Sequence, residues 1–360
     1  MTIPSILSEA PQYPVDIIAT AEFILSVQKQ SGEIPWSLEG KTDVWDHIES
    51  AMGLTVAGFS AQARRAYVWA ADIQNEDGSF WSEYRNGRPV EKAYKDTNMS
   101  AYIAVGVLHY YLITGQVSFL RKMWPMVARA IDFVCGLQGT GGEIYWARSA
   151  DGRVHRRALL TGSSSIYLSL KCALEMAALL GRVRPDWERA CQRLHEAINT
   201  KPLRFDQTKS RFSMDWYYPV LCGVITGQAA QARINKYWKE FTMPGWGVRC
   251  VSDRPWATMA ETAELALALA AMGDAETARQ VHGWVCGKQY LNGAFWTGVT
   301  FFDRVIYTDE KTAWTGAAVL LATDAIFGLT AGRRIFCHQS WKTAGAAGAT
   351  GQGLRLRKTG

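Results

Sequence analysis

The sequence predicts an all-α fold, an (α/α)6 barrel in which six helical hairpins form an outer ring and an inner ring. Two observations predict it: helical segments of two kinds alternate along the chain, and one loop motif recurs between them. The chain has 360 residues, 48% of them hydrophobic, which is enough for one large core. We expect the barrel over about residues 12–335, assign 1–335 to a single domain, and expect a flexible basic tail over 336–360, leaving open whether that tail is native.

The predicted outer helices are apolar on one face only. In the segment 117–138, Phe119, Met123 and Val127 recur at helical spacing, and Arg and Lys occupy the opposite face. The other one-sided segments have the same pattern. The six predicted outer helices are 15–28, 59–74, 117–138, 185–199, 227–241 and 274–289.

The predicted inner helices are apolar nearly all round, which is typical of a helix buried on every side. Residues 317–322, Ala-Ala-Val-Leu-Leu-Ala, illustrate the composition. The six predicted inner helices are 43–57, 97–113, 162–180, 215–225, 257–272 and 310–327.

The recurrent loop motif consists of Gln, three residues, Gly and then an aromatic cluster. Four copies begin at Gln28, Gln74, Gln138 and Gln289, and two degenerate copies surround Gln207 and Gly245. Each copy connects an outer helix to the next inner helix, so all six loops should meet at one rim of the barrel. We call this rim the mouth. The inner helices would direct their free N–H groups and positive dipole ends toward it.

These motifs resemble those of two families. The repeated Gln-x-x-x-Gly…Trp resembles the repeat of squalene–hopene cyclases and protein prenyltransferase β-subunits, which are α/α toroids. The segment 96–133, with Asp96-Thr97-Asn98, Trp124-Pro125 and Ala130-Ile131-Asp132-Phe133, resembles six-hairpin glycosidases of the glucoamylase-like and debranching-like type. Together the resemblances cover most of residues 15–330 and imply the double ring. They leave terpenoid chemistry and glycoside hydrolysis open.

Terpenoid chemistry lacks its usual signatures in this chain. Neither Asp-x-Asp-Asp nor Asp-Asp-x-x-Asp occurs, and although Cys250 and Asp253 could ligate zinc, no histidine is near them in sequence. P-loop, dinucleotide and zinc-protease motifs are absent as well. We therefore expect no metal or organic cofactor, and the sequence favours an inverting glycoside hydrolase. The alternatives are a terpenoid cyclase or prenyltransferase-like enzyme, and a non-catalytic toroid that binds glycan or protein.

Glycoside hydrolysis needs two carboxyl groups on either side of the scissile bond, one protonated and one ionised. We predict Asp46, in the first turn of the first inner helix, as the base, and Glu261, one turn inside the fifth, as the acid. Only one inner helix would separate them around the ring. Asp215 and Glu310 are reserve candidates.

Each of these acids also has a structural interpretation. An aspartate at a helix start is most often an N-cap, which is our preferred interpretation of Asp43, Asp96 and Asp309. The more buried acids could instead be paired with Arg249 or Arg254. His47 is as consistent with a positioning residue as with a proton carrier.

The mouth should also supply substrate contacts. The chain has 15 Trp residues, and we expect about half of those in the loops to line a cleft for an oligosaccharide or another small molecule. Asp96, beside Asn98, is a candidate ligand of sugar hydroxyls. The candidate substrate-binding residues are Trp36, Trp45, His47, Trp81, Asp96, Asn98, Trp146, Trp216, Tyr217, Arg249, Trp256, Trp296 and Trp314.

Charge and cysteine content restrict the partners and the compartment. The net charge is +6, but residues 341–360 contribute four basic side chains and no acid, so no nucleic-acid partner is indicated. Seven cysteines without CxxC pairs indicate free thiols, and no secretory leader or transmembrane run is apparent, which favours the cytoplasm. The oligomeric state is left open.

Overall fold

The computed structural model describes residues 14–38, 40–91 and 93–341, and within them it contains twelve α-helices and nine strands of two or three residues. The odd-numbered helices are α1 (Ile17–Val27), α3 (Ser60–Ile73), α5 (Val117–Cys135), α7 (Pro185–Thr200), α9 (Gly227–Phe241) and α11 (Ala275–Gly283). The even-numbered helices are α2 (Val44–Val56), α4 (Thr97–Thr114), α6 (Leu160–Leu179), α8 (Ser213–Leu221), α10 (Met259–Met272) and α12 (Ala313–Phe327).

The even-numbered helices form a closed inner ring in the order α2, α4, α6, α8, α10, α12, with α12 packing back against α2. The odd-numbered helices lie outside and contact this ring. In α7, for example, Trp187, Cys191, Leu194 and Ile198 are buried and recur at the spacing of one helical face. In α10 all but two residues are buried. The predicted (α/α)6 fold and its two classes of helix are confirmed.

The inner helices all begin at the same rim. Their preceding segments pair with one another in short antiparallel strands: β3 (Lys95–Asp96) with β4 (Ala147–Arg148), and β8 (Trp256–Thr258) with β9 (Gly298–Thr300). The remaining strands lie in the same loops; they are β1 (Tyr84–Arg85), β2 (Arg88–Pro89), β5 (Val154–His155), β6 (Thr242–Met243) and β7 (Gly247–Arg249). The mouth is therefore a continuous rim of paired loops around parallel helix N-termini.

The glutamine motif joins neighbouring outer helices. The Gln74 side chain donates to Gly78 O in its own loop and to Met126 O in α5, both at 2.9 Å. The Gln138 amide donates in the same way to Ala190 O of α7. Gly78 has a φ of 84° and lies so close to the Arg129 carbonyl that a side chain would collide with it. Gln207, in a degenerate copy, donates only to Pro202 O and Phe205 O of its own turn.

The structure differs from the sequence prediction at the last hairpin. Helix α12 begins at Ala313 with Thr312 as its N-cap, so Asp309 is not a cap. The packed chain also extends past 335, because Phe336 and His338 are buried and Trp341 donates to Ile335 O. The rest of the predicted tail, 342–360, lies outside the described residues. No helix in the described part of the chain is long and apolar enough to cross a membrane.

Candidate active site

A row of three carboxyl groups descends along α2 from the mouth into the barrel. Asp43 is the N-cap of this helix, as predicted; it accepts from Asp46 N at 2.9 Å and from the Trp36 indole N–H at 3.0 Å. Asp46 and Glu49 follow at steps of three residues, which places the three side chains on one helix face. Asp46 is half-buried and Glu49 is buried.

The surroundings of this row favour protonated carboxyls. Burial raises the pKa of Asp46 well above its usual value, and the neighbouring carboxyls of Asp43 and Glu49 raise it further. Burial likewise raises the pKa of Glu49 to about 8. These surroundings favour the protonated form of Asp46, next to the opening.

A second carboxyl pair lies on α10. Glu264 is buried, and the hydroxyls of Tyr217 and Tyr218, from α8, donate to its two oxygens. Burial raises the pKa of Glu264 well above its usual value, and Glu49 contributes further. Glu261 lies three residues earlier, one turn nearer the mouth, with the Cys250 thiol within hydrogen-bonding reach.

These two sets of carboxyls lie on two inner helices that have one common neighbour. Only α12 separates α2 from α10 in the inner ring, and the Glu49 carboxyl is close enough to Glu264 to raise the pKa of that residue. Because both helices run in the same direction, one turn toward the mouth from this pair leads to Asp46 on one side and Glu261 on the other. The two acids that the sequence predicted to carry the reaction therefore both lie at the mouth end of neighbouring parts of the inner ring. Their catalytic roles stay predictions.

Trp45 is the aromatic centre of the site. Its ring lies 5.6 Å from that of Tyr102 and 5.5 Å from that of Tyr218, measured between centroids. The indole N–H groups of Trp45 and of Trp314, on α12, lie near the Glu49 carboxyl, yet both N–H groups and Glu49 Oε2 are buried without a completed hydrogen bond. Polar atoms left open in this way accept a hydrogen-bonding ligand or water at low cost.

A side pocket of about 140 Å³ adjoins Trp45, between the N-termini of α4 and α6. Asp96, the N-cap of α4, and Asn98 contribute to its wall, together with Trp146. Burial raises the pKa of Asp96 to about 7. The predicted neighbours Asp96 and Asn98 are thus in one pocket at the mouth.

The chain is similar to known glycoside hydrolases. It is 48% identical over 334 residues to an MMP endo-(1,4)-3-O-methyl-alpha-D-mannosidase of Mycolicibacterium hassiacum, covering 93% of this chain and 91% of that protein. The chain belongs to the family of this endo-mannosidase. It is a glycoside hydrolase, and the terpenoid and binding-only alternatives are not favoured. No family model matches the sequence.

Solved structures of low sequence identity share the fold of this hydrolase. A wild-type glycosidase superposes with a TM-score of 0.69 at 13% identity, covering 87% of this chain and 96% of its own. A GH63 mannosylglycerate hydrolase from Thermus thermophilus, in complex with glucose, gives 0.62 at 10% identity, covering 86% and 99%. A D-mannose isomerase gives 0.68 at 11% identity, covering 89% and 99%. The α/α toroid of glycosidase type is therefore confirmed.

Several predicted site residues of the hydrolase serve the scaffold instead. His47 is fully buried: its Nδ1 accepts from Ile34 N, its Nε2 contacts Ala66 O, and burial lowers its pKa to about 4. Trp216 is stacked on Phe241, an outer-ring residue, and donates to Arg233 O. Both side chains are engaged within the scaffold, which favours a structural role, and their role as substrate ligands stays a prediction.

The reserve acids are also engaged elsewhere. Asp215 accepts from Thr161 N at 3.1 Å and from Thr161 Oγ1 at 2.5 Å, which joins α8 to α6. Glu310 is exposed, in the loop before α12, and accepts from Ser37. The predicted arginine partner Arg249 donates instead to Ser252 O. These contacts support the structural interpretation of Asp215 and leave Asp46 and Glu261 without arginine partners in the described part of the chain.

The remaining predicted aromatic residues lie in the mouth loops or beneath them. The Trp36 indole N–H donates a hydrogen bond to Asp43, and the Trp256 indole N–H donates one to Tyr307 O. The ammonium group of Lys95 lies over the ring of Trp81. Trp296 is half-buried and packs against the core. Tyr217 is fully buried and binds Glu264 rather than facing the opening.

Sequence reasoning did not select Glu49 or Glu264 as site residues. The signal that would have found them is the repeated step of three residues, Asp46-x-x-Glu49 on one inner helix and Glu261-x-x-Glu264 on another. On each of these two parallel helices the second acid lies one turn deeper than the first and on the same face. If the two acids nearer the mouth approach each other, the two deeper acids do so as well.

Proposed function

We propose that this glycoside hydrolase cleaves internal (1,4) bonds of chains built from 3-O-methyl-α-D-mannose and inverts the anomeric configuration. The name and the 48% identity of the relative support the substrate class. The observation that supports the mechanism is that Asp46 and Glu261 lie in the first turns of two inner helices separated only by α12, each one turn above a buried carboxyl, and that these two lower carboxyls, Glu49 and Glu264, interact.

We assign the proton-donating role to Asp46, the reverse of the sequence-based assignment. A general acid must be protonated at working pH, and the pKa of Asp46 is raised by burial and by the carboxyls of Asp43 and Glu49. Since one group donates, the opposite group must accept, which makes Glu261 the general base.

The reaction follows from these two roles. The Asp46 carboxyl donates its proton to the glycosidic oxygen as the bond from this oxygen to C1 breaks. On the opposite face of the sugar, Glu261 takes a proton from a water molecule whose oxygen forms the new bond to C1. An α-linked substrate gives a product with a β hydroxyl. Inverting enzymes hold the two carboxyl groups about 6.5–9.5 Å apart so that this water fits between them.

The test is hydrolysis of a defined (1,4)-linked 3-O-methyl-α-mannose oligosaccharide. Mass spectrometry should detect fragments of intermediate length, as expected of an endo-acting enzyme. Proton NMR during the first turnovers should detect the β anomer before mutarotation. Release of single terminal sugars would contradict endo action, and the α anomer as first product would contradict inversion.

A further inference from the structure

The side pocket beside Trp45 has apolar walls and two open polar groups. Ile144, Leu159, Ile166 and Trp146 are among the apolar residues that line it. Asn98 is 7% exposed and Ser163 is 1% exposed, and neither Asn98 Oδ1 nor Ser163 Oγ has a hydrogen-bond partner. Buried polar atoms are normally paired, so these two indicate a ligand that completes them.

The two open groups differ in what they accept. Asn98 Oδ1 can only accept a hydrogen bond, whereas the Ser163 hydroxyl can donate one. A free sugar hydroxyl can donate to Asn98. A methyl ether oxygen has no hydrogen and can only accept, as from Ser163. A free hydroxyl beside a methyl ether, as on C2 and C3 of a 3-O-methyl hexose, therefore matches the pair.

The apolar part of the pocket is next to these groups. Gly162, in the first turn of α6, precedes Ser163, and a methyl group added at Gly162 would lie 3.5 Å from Asn98 Cβ and 3.8 Å from Leu159 Cβ. These are ordinary van der Waals distances, so a side chain at Gly162 would narrow this corner of the pocket without a clash, whereas glycine leaves the backbone there open to an apolar group of a ligand.

We propose that this pocket binds one 3-O-methylmannose unit of the substrate, with the methyl group in the corner formed by Gly162, Leu159 and Asn98. The ether oxygen accepts from Ser163, and the neighbouring hydroxyl donates to Asn98. The inference rests on the proposed function and adds to it the element that selects methylated sugars.

The main test is Gly162→Ala, assayed on two oligosaccharides that differ only in 3-O-methylation. The added methyl group fills the corner without a clash in the free protein, and alanine is the better helix former. The value of kcat/KM should fall about 10–200-fold for the methylated substrate, the usual discrimination of one methyl group in an apolar pocket, and change little for the unmethylated one. Gly283→Ala is the matched control, since this exposed residue of α11 has no atom near the new methyl group.

A second variant tests the polar half of the pocket. Ser163→Ala removes a hydroxyl that has no partner in the protein, so its thermal midpoint should stay near that of the wild type. The KM for the methylated substrate should rise about 2–10-fold, the loss of one hydrogen bond. Equal effects of Gly162→Ala on both substrates, or an unchanged KM in Ser163→Ala, would overturn the pocket assignment while wild-type activity still supports the proposed function. A wild type that hydrolyses neither substrate would overturn the proposed function itself.

Discussion

The carboxyls on α2 and those on α10 use the same step of three residues but have different neighbours. On α2, Asp46 lies between two other carboxyls, and the indole N–H groups near Glu49 do not complete hydrogen bonds. On α10, two tyrosine hydroxyls bind both oxygens of Glu264. Burial raises the pKa of the lower acid on both sides, but only on α2 do neighbouring carboxyls also favour the protonated form of the upper acid, Asp46, whereas on α10 tyrosine hydroxyls hydrogen-bond the lower acid, Glu264.

The largest expected effect comes from substituting the proposed acid, Asp46, and the proposed base, Glu261, and the choice of substrate distinguishes the two roles. Asp46→Asn and Glu261→Gln should each lower kcat/KM on a natural glycoside by about 10²–10⁴-fold, the usual contribution of acid–base catalysis. On a dinitrophenyl glycoside, whose leaving group needs no proton, Asp46→Asn should recover most of its activity and Glu261→Gln should not. The measurement is steady-state kinetics on both substrates. Recovery in Glu261→Gln alone would restore the sequence-based assignment.

The pH dependence of the free energy of unfolding should reveal that Glu49 is protonated in the folded protein. The unfolded chain releases this proton near the ordinary value of 4.5, whereas the folded protein keeps it up to about 8. Between these values the folded state binds more protons, so the free energy of unfolding falls as pH rises, by at most about 1.4 kcal/mol per pH unit from this group. Urea unfolding from pH 5 to 8 should show a smaller decline in Glu49→Gln.

Glu188→Gln is the control for this experiment, because Glu188 is an exposed glutamate on α7. Its unfolding free energy should follow that of the wild type across the same range. If Glu49→Gln declines as steeply as the control, the Glu49 carboxyl is not protonated in the folded protein.

Removing one phenol should make the α10 side resemble the α2 side. Tyr218→Phe leaves Glu264 Oε1 buried without its 2.7 Å donor, which should lower the free energy of unfolding by about 1–3 kcal/mol. The control is Tyr111→Phe, near the C-terminal end of α4 and away from the mouth. It removes a hydroxyl for which no partner is found in the described chain, so it should lower the free energy of unfolding by less than Tyr218→Phe. Chemical denaturation of both variants gives the comparison; equal losses would mean that the Tyr218 hydroxyl does not stabilise Glu264.

The smallest effect concerns the charge next to the acid. Asp43→Asn keeps an N-cap of α2 but removes the neighbour that, after burial, most raises the pKa of Asp46. The active, protonated form of Asp46 is lost as pH rises through its pKa, so lowering this pKa moves the basic limb of the kcat profile to lower pH, by about one unit. Asp274→Asn, at the N-cap of the outer helix α11, should leave the limb in place. An unmoved limb in Asp43→Asn would show that Asp43 does not tune the acid.

The helices and the location of the acids could be predicted from the sequence, because burial on one face or on all faces leaves a direct pattern in the residues. That pattern placed Asp46 in the first turn of an inner helix and Glu261 one turn inside another; in the structure both lie in the first turn, because α10 begins at Met259. The direction of each side chain on an inner helix could not be predicted. In a helix buried all round, no apolar face distinguishes residues that point to the barrel axis from those that point to the outer ring.

His47 and Trp216 illustrate this limit. Both lie within a few residues of site acids, yet His47 packs on Trp69 of α3 and Trp216 on Phe241 of α9, both in the outer ring. Glu310 illustrates another: its helix begins at Ala313, three residues later than this acid, because Thr312 supplies the cap. Cap choice between nearby polar residues depends on tertiary contacts that a local sequence window does not contain.

The closure of the ring joins the two ends of the chain. Gln289, in the last regular repeat, donates to Thr20 Oγ1 of α1 at 2.7 Å, and α12 packs against both α1 and α2. A nascent chain therefore displays one apolar flank of α2 until some three hundred residues have been synthesised, and only the arrival of α12 covers it. Contacts of such sequence separation slow folding and prolong exposure to aggregation. The risk of aggregation through this exposed surface of α2 therefore lasts until the last inner helix, α12, has been synthesised and has packed.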